Sequence, residues 1–379
     1  MKIRAIEAIP LRYDVPEPYG SARGMSAARV TCLVRLESDE GLVGVGEAYG
    51  PPLVVAAQVR ELAPLFLGQD PFDRERLWAE AVNGRYHWGR TGPHVGALSG
   101  IETACWDLMG RAVGRPVAKL LGGWNRDTVS VYGSTGYFTD APDGFRRQVE
   151  QAAAEGLRRL KIKCGASLAS DLERVDLAFA IAGDDLKLLV DLNGNYTADL
   201  ALRLCRELEG RRIVWLEEPL PSEDLNGYAR VREGTTLPIA SGEAEALRVG
   251  FRDLITRRLV DVVQPDVTSC GGLGEAKAIV QMAQTWNVRF APHVWGGGVA
   301  LAASLQLCAA VPLYPHAPLA NREAAPLLFE YDRGPNALRD ELLTTPFEVR
   351  GDRISIPSGP GLGVEVNWDT VERYRIDRA

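Results

Sequence analysis

The sequence predicts an α/β fold: a small α+β unit over residues 1–124, a β/α barrel over residues 125–349, and a remaining C-terminal segment, 350–379. Three observations carry this. Strand-like stretches precede helix-like ones in the first part of the chain, and the two alternate strictly from Thr128 onward. The alternating part offers eight strand candidates, the number that closes a barrel. Alternation alone also suits a doubly wound sheet; the count of eight favours closure.

In the first unit, residues 2–11, 30–36 and 41–47 read as strands, with Pro16-Glu17-Pro18-Tyr19-Gly20-Ser21 as a turn-rich loop between the first two. Residues 54–66, 71–82 and 99–112 carry the 3.6-residue apolar rhythm of helices. The Leu121-Gly122-Gly123 turn closes the unit. The eight barrel strands are expected at 128–132, 159–163, 186–191, 213–217, 237–241, 261–264, 289–292 and 327–330. Between them, Ser170-Asp171-Leu172-Glu173 reads as a capping box with Ser170 at the N-cap, opening a helix that turns Leu172, Val175 and Phe179 inward. A further helix over 197–208 stops at Gly210.

Composition sets bounds on function. Apolar residues make up 46% and charged residues 25% of the 379, ordinary for a globular protein with a sizeable core. Lys and Arg number 43 against 50 Asp and Glu, and the net charge of −7 excludes a generally basic nucleic-acid-binding surface. No apolar stretch approaches the roughly 20 residues of a membrane span. The first residues place a charge inside each short apolar run, so a cytoplasmic protein without a secretory signal is expected. Six dispersed cysteines without a C-x-x-C pair read as buried, reduced thiols. Neither Gly44-Val45-Gly46 nor Gly272-Leu273-Gly274 completes a dinucleotide fingerprint, because Tyr49 and Lys277 stand where Gly or Ala is needed.

The informative residues stand at the C-terminal ends of the strands. Lys161-Ile162-Lys163, Asp191-Leu192-Asn193, Glu217-Glu218-Pro219, Gly242-Glu243, Gln264-Pro265-Asp266 and Pro292-His293 follow one another at intervals of 23 to 28 residues. Each has a plain structural reading when taken singly, as a solvated strand face, a loop opening or a helix cap. Together they recur once per β/α unit at one height, the mouth where barrel active sites are built.

Asp191, Glu217 and Glu243 end consecutive strands, so their oxygens can meet at one point. Three unpaired carboxylates repel, and a hard divalent cation is the natural remedy; all-oxygen ligation favours Mg²⁺, with Mn²⁺ also fitting. Such an ion takes a substrate carboxylate as a further ligand and neutralises the charge that builds up as an α-proton leaves. Lys161 and Lys163 flank it on one side, and the nearby positive charge is expected to lower the proton affinity of Lys163 into the range of a base. On the other side Asp266 fixes the tautomer of His293 and orients its second nitrogen. Glu330, if protonated, donates to a substrate carboxylate oxygen, and Asn193 touches a substrate hydroxyl. Tyr19, Tyr49, His87 and Trp295 are expected to wall the pocket, while His316 lies on a loop without a catalytic role.

These residues resemble the enolase superfamily and its mandelate racemase subgroup. The likeness spans essentially the whole chain, including Ser99-Gly100-Ile101-Glu102…Trp106-Asp107, Lys161-x-Lys163, the Asp/Glu/Glu set, the Asp266–His293 pair and Gly359-Pro360-Gly361-Leu362-Gly363. It implies a modified (β/α)₇β TIM barrel under an N-terminal α+β capping domain, with the C-terminal tail returning to the cap. It further implies Lys163 as one acid/base, His293 with Asp266 as the other, Glu330 as partner of an enediolate, and association into homo-oligomers. Val263-Gln264-Pro265-Asp266…Cys270-Gly271-Gly272, Pro292-His293-Val294-Trp295-Gly296 and Phe329-Glu330-Tyr331-Asp332 look like segments of acid-sugar cycloisomerases and dehydratases, so a small-molecule carboxylate, a galactarolactone-like acid sugar or its lactone, is the implied substrate. A racemase or epimerase with the same two bases, and a non-catalytic binding protein on the same fold, stay open. Cys164 stands where an aliphatic residue is usual and Glu102 where Asp is usual.

Overall fold

The computed structural model describes residues 1–183, 185–312 and 326–377; His316 lies outside them. The chain opens with a long hairpin, β1 (Ile3–Ser21) and β2 (Gly24–Ser38), joined by β3 (Val43–Ala48) in an antiparallel sheet. Residues 16–21, expected as a loop, belong to β1. The register breaks between Asp14 and Tyr19, so Pro16 and Pro18 fall in an irregular stretch where their missing N–H groups leave no gap in a ladder. Pairing resumes at Tyr19 with Ser26, and a short strand β5 (Phe138–Thr139), reached after β4 (Thr128–Thr135), pairs with Tyr19 and Gly20 from the other side.

Helices α1 (Pro52–Phe66) and α3 (Gly92–Ala112) cover this sheet, and α2 (Arg74–Gly84) packs against both. Residues 71–82 form two pieces, because Pro71–Asp73 winds as a single tight turn capped by Asp70 before α2 begins. α3 starts seven residues earlier than the apolar rhythm suggested and is buried all round from His94 to Gly110. A helix enclosed on every side has no polar face, so periodicity marks its start poorly. Val34, Leu36, Ala48, Val55, Leu62, Leu98 and Ile101 form the core of this cap.

The barrel strands are β4, β6 (Arg159–Lys163), β7 (Lys187–Asp191), β8 (Ile213–Glu217), β9 (Ile239–Ser241), β10 (Val262–Val263), β11 (Arg289–Phe290) and β12 (Leu328–Asp332). Parallel ladders run from β4 through β11 in chain order, and β12 pairs with β4 on the other side. Tyr132, Leu189, Trp215, Ala240, Val262, Ala291 and Leu328, from strands all around the ring, pack into one apolar layer beneath the mouth. A helix of nine residues or more follows each barrel strand except β12. The helix Leu168–Ala182 is capped by Ser167, whose hydroxyl accepts from the Ser170 amide. The expected N-cap, Ser170, therefore lies inside the first turn. Asp171 turns inward, where its carboxylate accepts from Gly165 N and Tyr196 OH.

Beyond the barrel, a hairpin of β13 (Val349–Arg350) and β14 (Arg353–Ser355) pairs antiparallel with the start of β4. The chain then runs to the cap. Leu362 N donates to Asp107 Oδ1 at 2.7 Å, Arg375 pairs with Glu7 at 2.9 Å, and Ile376 N donates to Pro10 O. All six cysteines are free and buried. No helix of the described residues is long and apolar enough to cross a membrane.

Candidate active site

The strand-end residues converge. Oxygens of Asp191, Glu217 and Glu243 lie within 4.8 Å of one another, with Asp191 and Glu217 fully buried. Asp191 and Glu217 sit opposite one another in the β7–β8 ladder, and Glu243 follows β9 across the Gly242 turn. Lys161 and Lys163 both point inward from β6, two residues apart on one face. Lys161 Nζ lies 2.6 Å from Glu217 Oε1 and from Glu330 Oε1; Lys163 Nζ lies 2.6 Å from Asp191 Oδ2. On the opposite flank, His293 Nδ1 is 2.7 Å from Asp266 Oδ2 and its Nε2 is 3.4 Å from Glu243 Oε2.

The neighbouring side chains set the charges at the mouth. Burial works against the charge on Lys163, but Asp191 overrides it and the proton affinity of the amine rises. Burial also opposes the ionised form of Glu330, yet Lys161 and His293 hold it below the usual carboxylate range, so these neighbours favour the carboxylate. Both follow from lysines and carboxylates acting as mutual counter-ions. Asp191 is drawn down to about 2 against its burial by the two lysines, while burial lifts Glu217 to about 7. Burial opposes the imidazolium of His293, but Glu243, Glu330 and Asp266 outweigh it and raise the group to about 10.

The residues present suit a divalent cation. Asp191, Glu217, Glu243, Glu330 and Asp266 face Lys161, Lys163 and His293, five carboxylates against three cationic groups, and Glu243 Oε2 is buried without a hydrogen-bond partner. Glu218, between Glu217 and Pro219, is buried with φ +38°, and its burial beside Glu243 favours the neutral acid. One divalent charge would balance the formal excess.

The expected pocket wall divides. Asn193 is at the site, its backbone N–H donating to Asp191 Oδ1 and its side-chain Oδ1 buried without a hydrogen bond. Tyr49 stands at the edge, half exposed, with its phenol raised first by burial and then by Glu243 and Asp266. Tyr19 and Trp295 belong to one aromatic cluster with Tyr137, and the Tyr19 hydroxyl is spent on Pro335 O. His87 is exposed on the turn after α2, against Tyr86, and among the described residues no hydrogen bond or ion pair joins it to the mouth. A cavity of about 670 Å³ bounded by Arg74, Trp78, Glu102 and Arg248 lies apart from these groups.

Sequence reasoning missed the supporting shell. Glu217 Oε2 accepts from Trp215 Nε1 at 2.9 Å and Gln264 Nε2 at 2.8 Å, which leaves Oε1 facing the mouth. Asp266 Oδ1 accepts from both the amide and the hydroxyl of Thr268. The i, i+2 spacing of Trp215 to Glu217 was the available signal, since alternate strand residues share a face.

Residues 5–122 match the model of the mandelate racemase / muconate lactonizing enzyme N-terminal domain, and residues 144–370 match that of the enolase C-terminal domain-like family. The chain belongs to the mandelate racemase/muconate lactonizing enzyme family of the enolase superfamily. Among its curated relatives, D-galactarolactone cycloisomerase of Agrobacterium fabrum is 37% identical over 99% of both chains. Arabinonate dehydratase of Saccharolobus solfataricus is 33% identical over 90% of this chain and 89% of its own. The crystal structure of the 3,6-anhydro-D-galactonate cycloisomerase of Zobellia galactanivorans superposes with a TM-score of 0.89 at 32% identity, covering all of both chains. A racemase from Streptomyces coelicolor A3(2) with bound magnesium gives 0.86 at 25% identity, covering 99% of this chain and 100% of its own. Family membership agrees with the capped barrel.

Proposed function

We propose that this protein is a Mg²⁺-dependent enzyme that removes the proton α to the carboxylate of an acid sugar or its lactone and expels a β-oxygen, as a cycloisomerase or dehydratase. The observation that carries the reading is the Asp191, Glu217 and Glu243 cluster with Lys163 on one flank and the His293–Asp266 pair on the other. Those three carboxylates would hold Mg²⁺, or Mn²⁺ in its place. The bound ion supplies a charge that makes the α-proton more acidic by favouring the enediolate form of the substrate.

The chain's own groups do the proton transfer. With Asp191 engaged elsewhere, Lys163 loses its counter-ion and its proton affinity falls toward that of a working base. One of Lys163 and His293 takes the α-proton. The other, protonated, gives a proton to the departing oxygen as the β C–O bond breaks, so a dehydratase releases water and a cycloisomerase opens one ring. The resulting enol ketonises. Lys161, locked between Glu217 and Glu330, places a fixed positive charge beside the developing enediolate.

A library of aldonic, aldaric and uronic acids and their lactones, incubated with Mg²⁺ in D₂O, tests this. An oxygen-eliminated or ring-opened 2-keto product with deuterium at the former β-carbon, where the enol is protonated as it ketonises, is the expected result. A product retaining every oxygen, with deuterium at the α-carbon, would assign a racemase or epimerase instead, and neither product nor α-exchange with any acid would leave a binding protein. Free, buried thiols support a cytoplasmic location. Exposed Tyr86 and Trp88 support association between copies, which sedimentation would measure.

A further inference from the structure

His293 sits on the short segment between β11 and the helix Gly298–Ala310, and the far end of that segment is held by the cap rather than by the barrel. Glu47, at the end of β3, is 1% exposed. Its carboxylate accepts from Gly297 N at 2.6 Å, from Ala300 N at 2.8 Å and from the Thr31 hydroxyl at 2.8 Å. A carboxylate from one unit thus caps a thirteen-residue helix of the other, satisfying amides that have no partner within the helix.

The local sequence makes room for it. A side chain at Gly296 would come within 2.9 Å of Glu47 Oε1, and one at Gly297 within 3.1 Å of both oxygens. A second cap residue grips the same segment. Arg29 stacks 3.6 Å from the centroid of the Trp295 ring, donates to Trp295 O and pairs with Asp332 at 3.4 Å. His293 lies two residues before the first of these grips, and its imidazole is held by Asp266 and touches Glu243.

We infer that Glu47 is a positioning residue for His293: by capping the helix that follows, the cap sets where the imidazole stands relative to the substrate, and Lys163 is independent of it. The inference rests on the two-base reading above. Lys163 has its own support, since Arg174 donates to its carbonyl at 2.8 Å and stacks on Phe138 and Phe145.

The test compares α-exchange in two backgrounds. Lys163→Ala leaves only His293-dependent exchange and His293→Asn only Lys163-dependent exchange. Adding Glu47→Gln is expected to slow exchange by about tenfold or more in the first background, as small misplacements of a reacting group do, and less than about threefold in the second. Equal loss in both, or none in either, would overturn the inference. Thr31→Val, which removes one donor to Glu47, is the second variant and should act in the same direction more weakly. The His293 Nδ1–H resonance of the Mg²⁺-loaded protein is read in parallel. It should shift or broaden on Glu47→Gln, and an unmoved signal counts against the role. If no acid exchanges in the unsubstituted enzyme, the two-base reading fails by itself and this resonance alone decides the position of His293.

Discussion

Burial alone would strip Lys163 of its proton; the Asp191 oxygen 2.6 Å away reverses that sign. A lysine so paired is a base only when its partner has other work, which ties its chemistry to the carboxylate cluster. Lys163→Ala and His293→Asn are therefore each expected to cut turnover by about 10²–10⁴-fold, the scale of a positioned acid or base. Mg²⁺ binding by calorimetry should survive both changes, and retained turnover in both would remove these residues as bases. Glu102 offers a pH prediction away from the mouth. Burial lifts its pKa from 4.5 to about 7 even though Arg74, Trp106 and the Gly274 amide all favour the anion. Its contribution to stability is complete below pH 4.5 and is lost as pH rises through 7. The stability of Glu102→Gln relative to the parent should rise between pH 5 and 9 by up to ~3 kcal/mol, the equivalent of that displacement, and denaturant melts at several pH values would show a flat difference if this is wrong.

Strand ends and helix periods were legible because they are local. The six mouth positions follow from unit spacing and side-chain alternation, so the site could be read before the fold. What the sequence hid is what comes from elsewhere in space. The Gly44-Val45-Gly46 stretch read as an incomplete dinucleotide fingerprint. In the structure, it is where β3 lies against α3, with an added side chain at Gly46 falling 2.1 Å from Gly100 O and one at Gly44 falling 2.4 Å from Ala104 O. Gly46→Ala is expected to destabilise the protein by about 1–3 kcal/mol through this overlap, with an unchanged urea midpoint counting against it. Gln264 was hidden for the same reason, since nothing local shows that it joins Trp215 in donating to one oxygen of Glu217. Gln264→Leu should weaken Mg²⁺ binding by about 10–100-fold, as loss of a partner to a metal-ligating group does, and titration calorimetry measures it directly.

At the scale of the whole molecule, the cap is held to the barrel by buried polar contacts as well as by apolar surface. Asp107 of α3 receives the tail at Leu362, Glu47 caps a barrel helix, and Tyr49 N donates to Thr268 O beside the Asp266–His293 pair. The mouth they enclose carries more carboxylates than cationic groups, which makes the folded state itself the party that gains from a divalent cation. Mg²⁺ should therefore raise the melting temperature progressively, by the equivalent of ~2.7 kcal/mol at a hundred times its dissociation constant. The choice of control decides what this shows. Asp191→Asn would strand Lys163 without its counter-ion and destabilise the protein with or without metal. Glu243 pairs with neither lysine, and its Oε2 lies 3.4 Å from His293 Nε2 without a hydrogen bond, so Glu243→Gln removes a proposed metal ligand while the lysine network stays intact. Its metal-free melting temperature should stay near that of the parent, and its rise with Mg²⁺ should be much smaller. A full rise in Glu243→Gln would place the cation outside this carboxylate cluster.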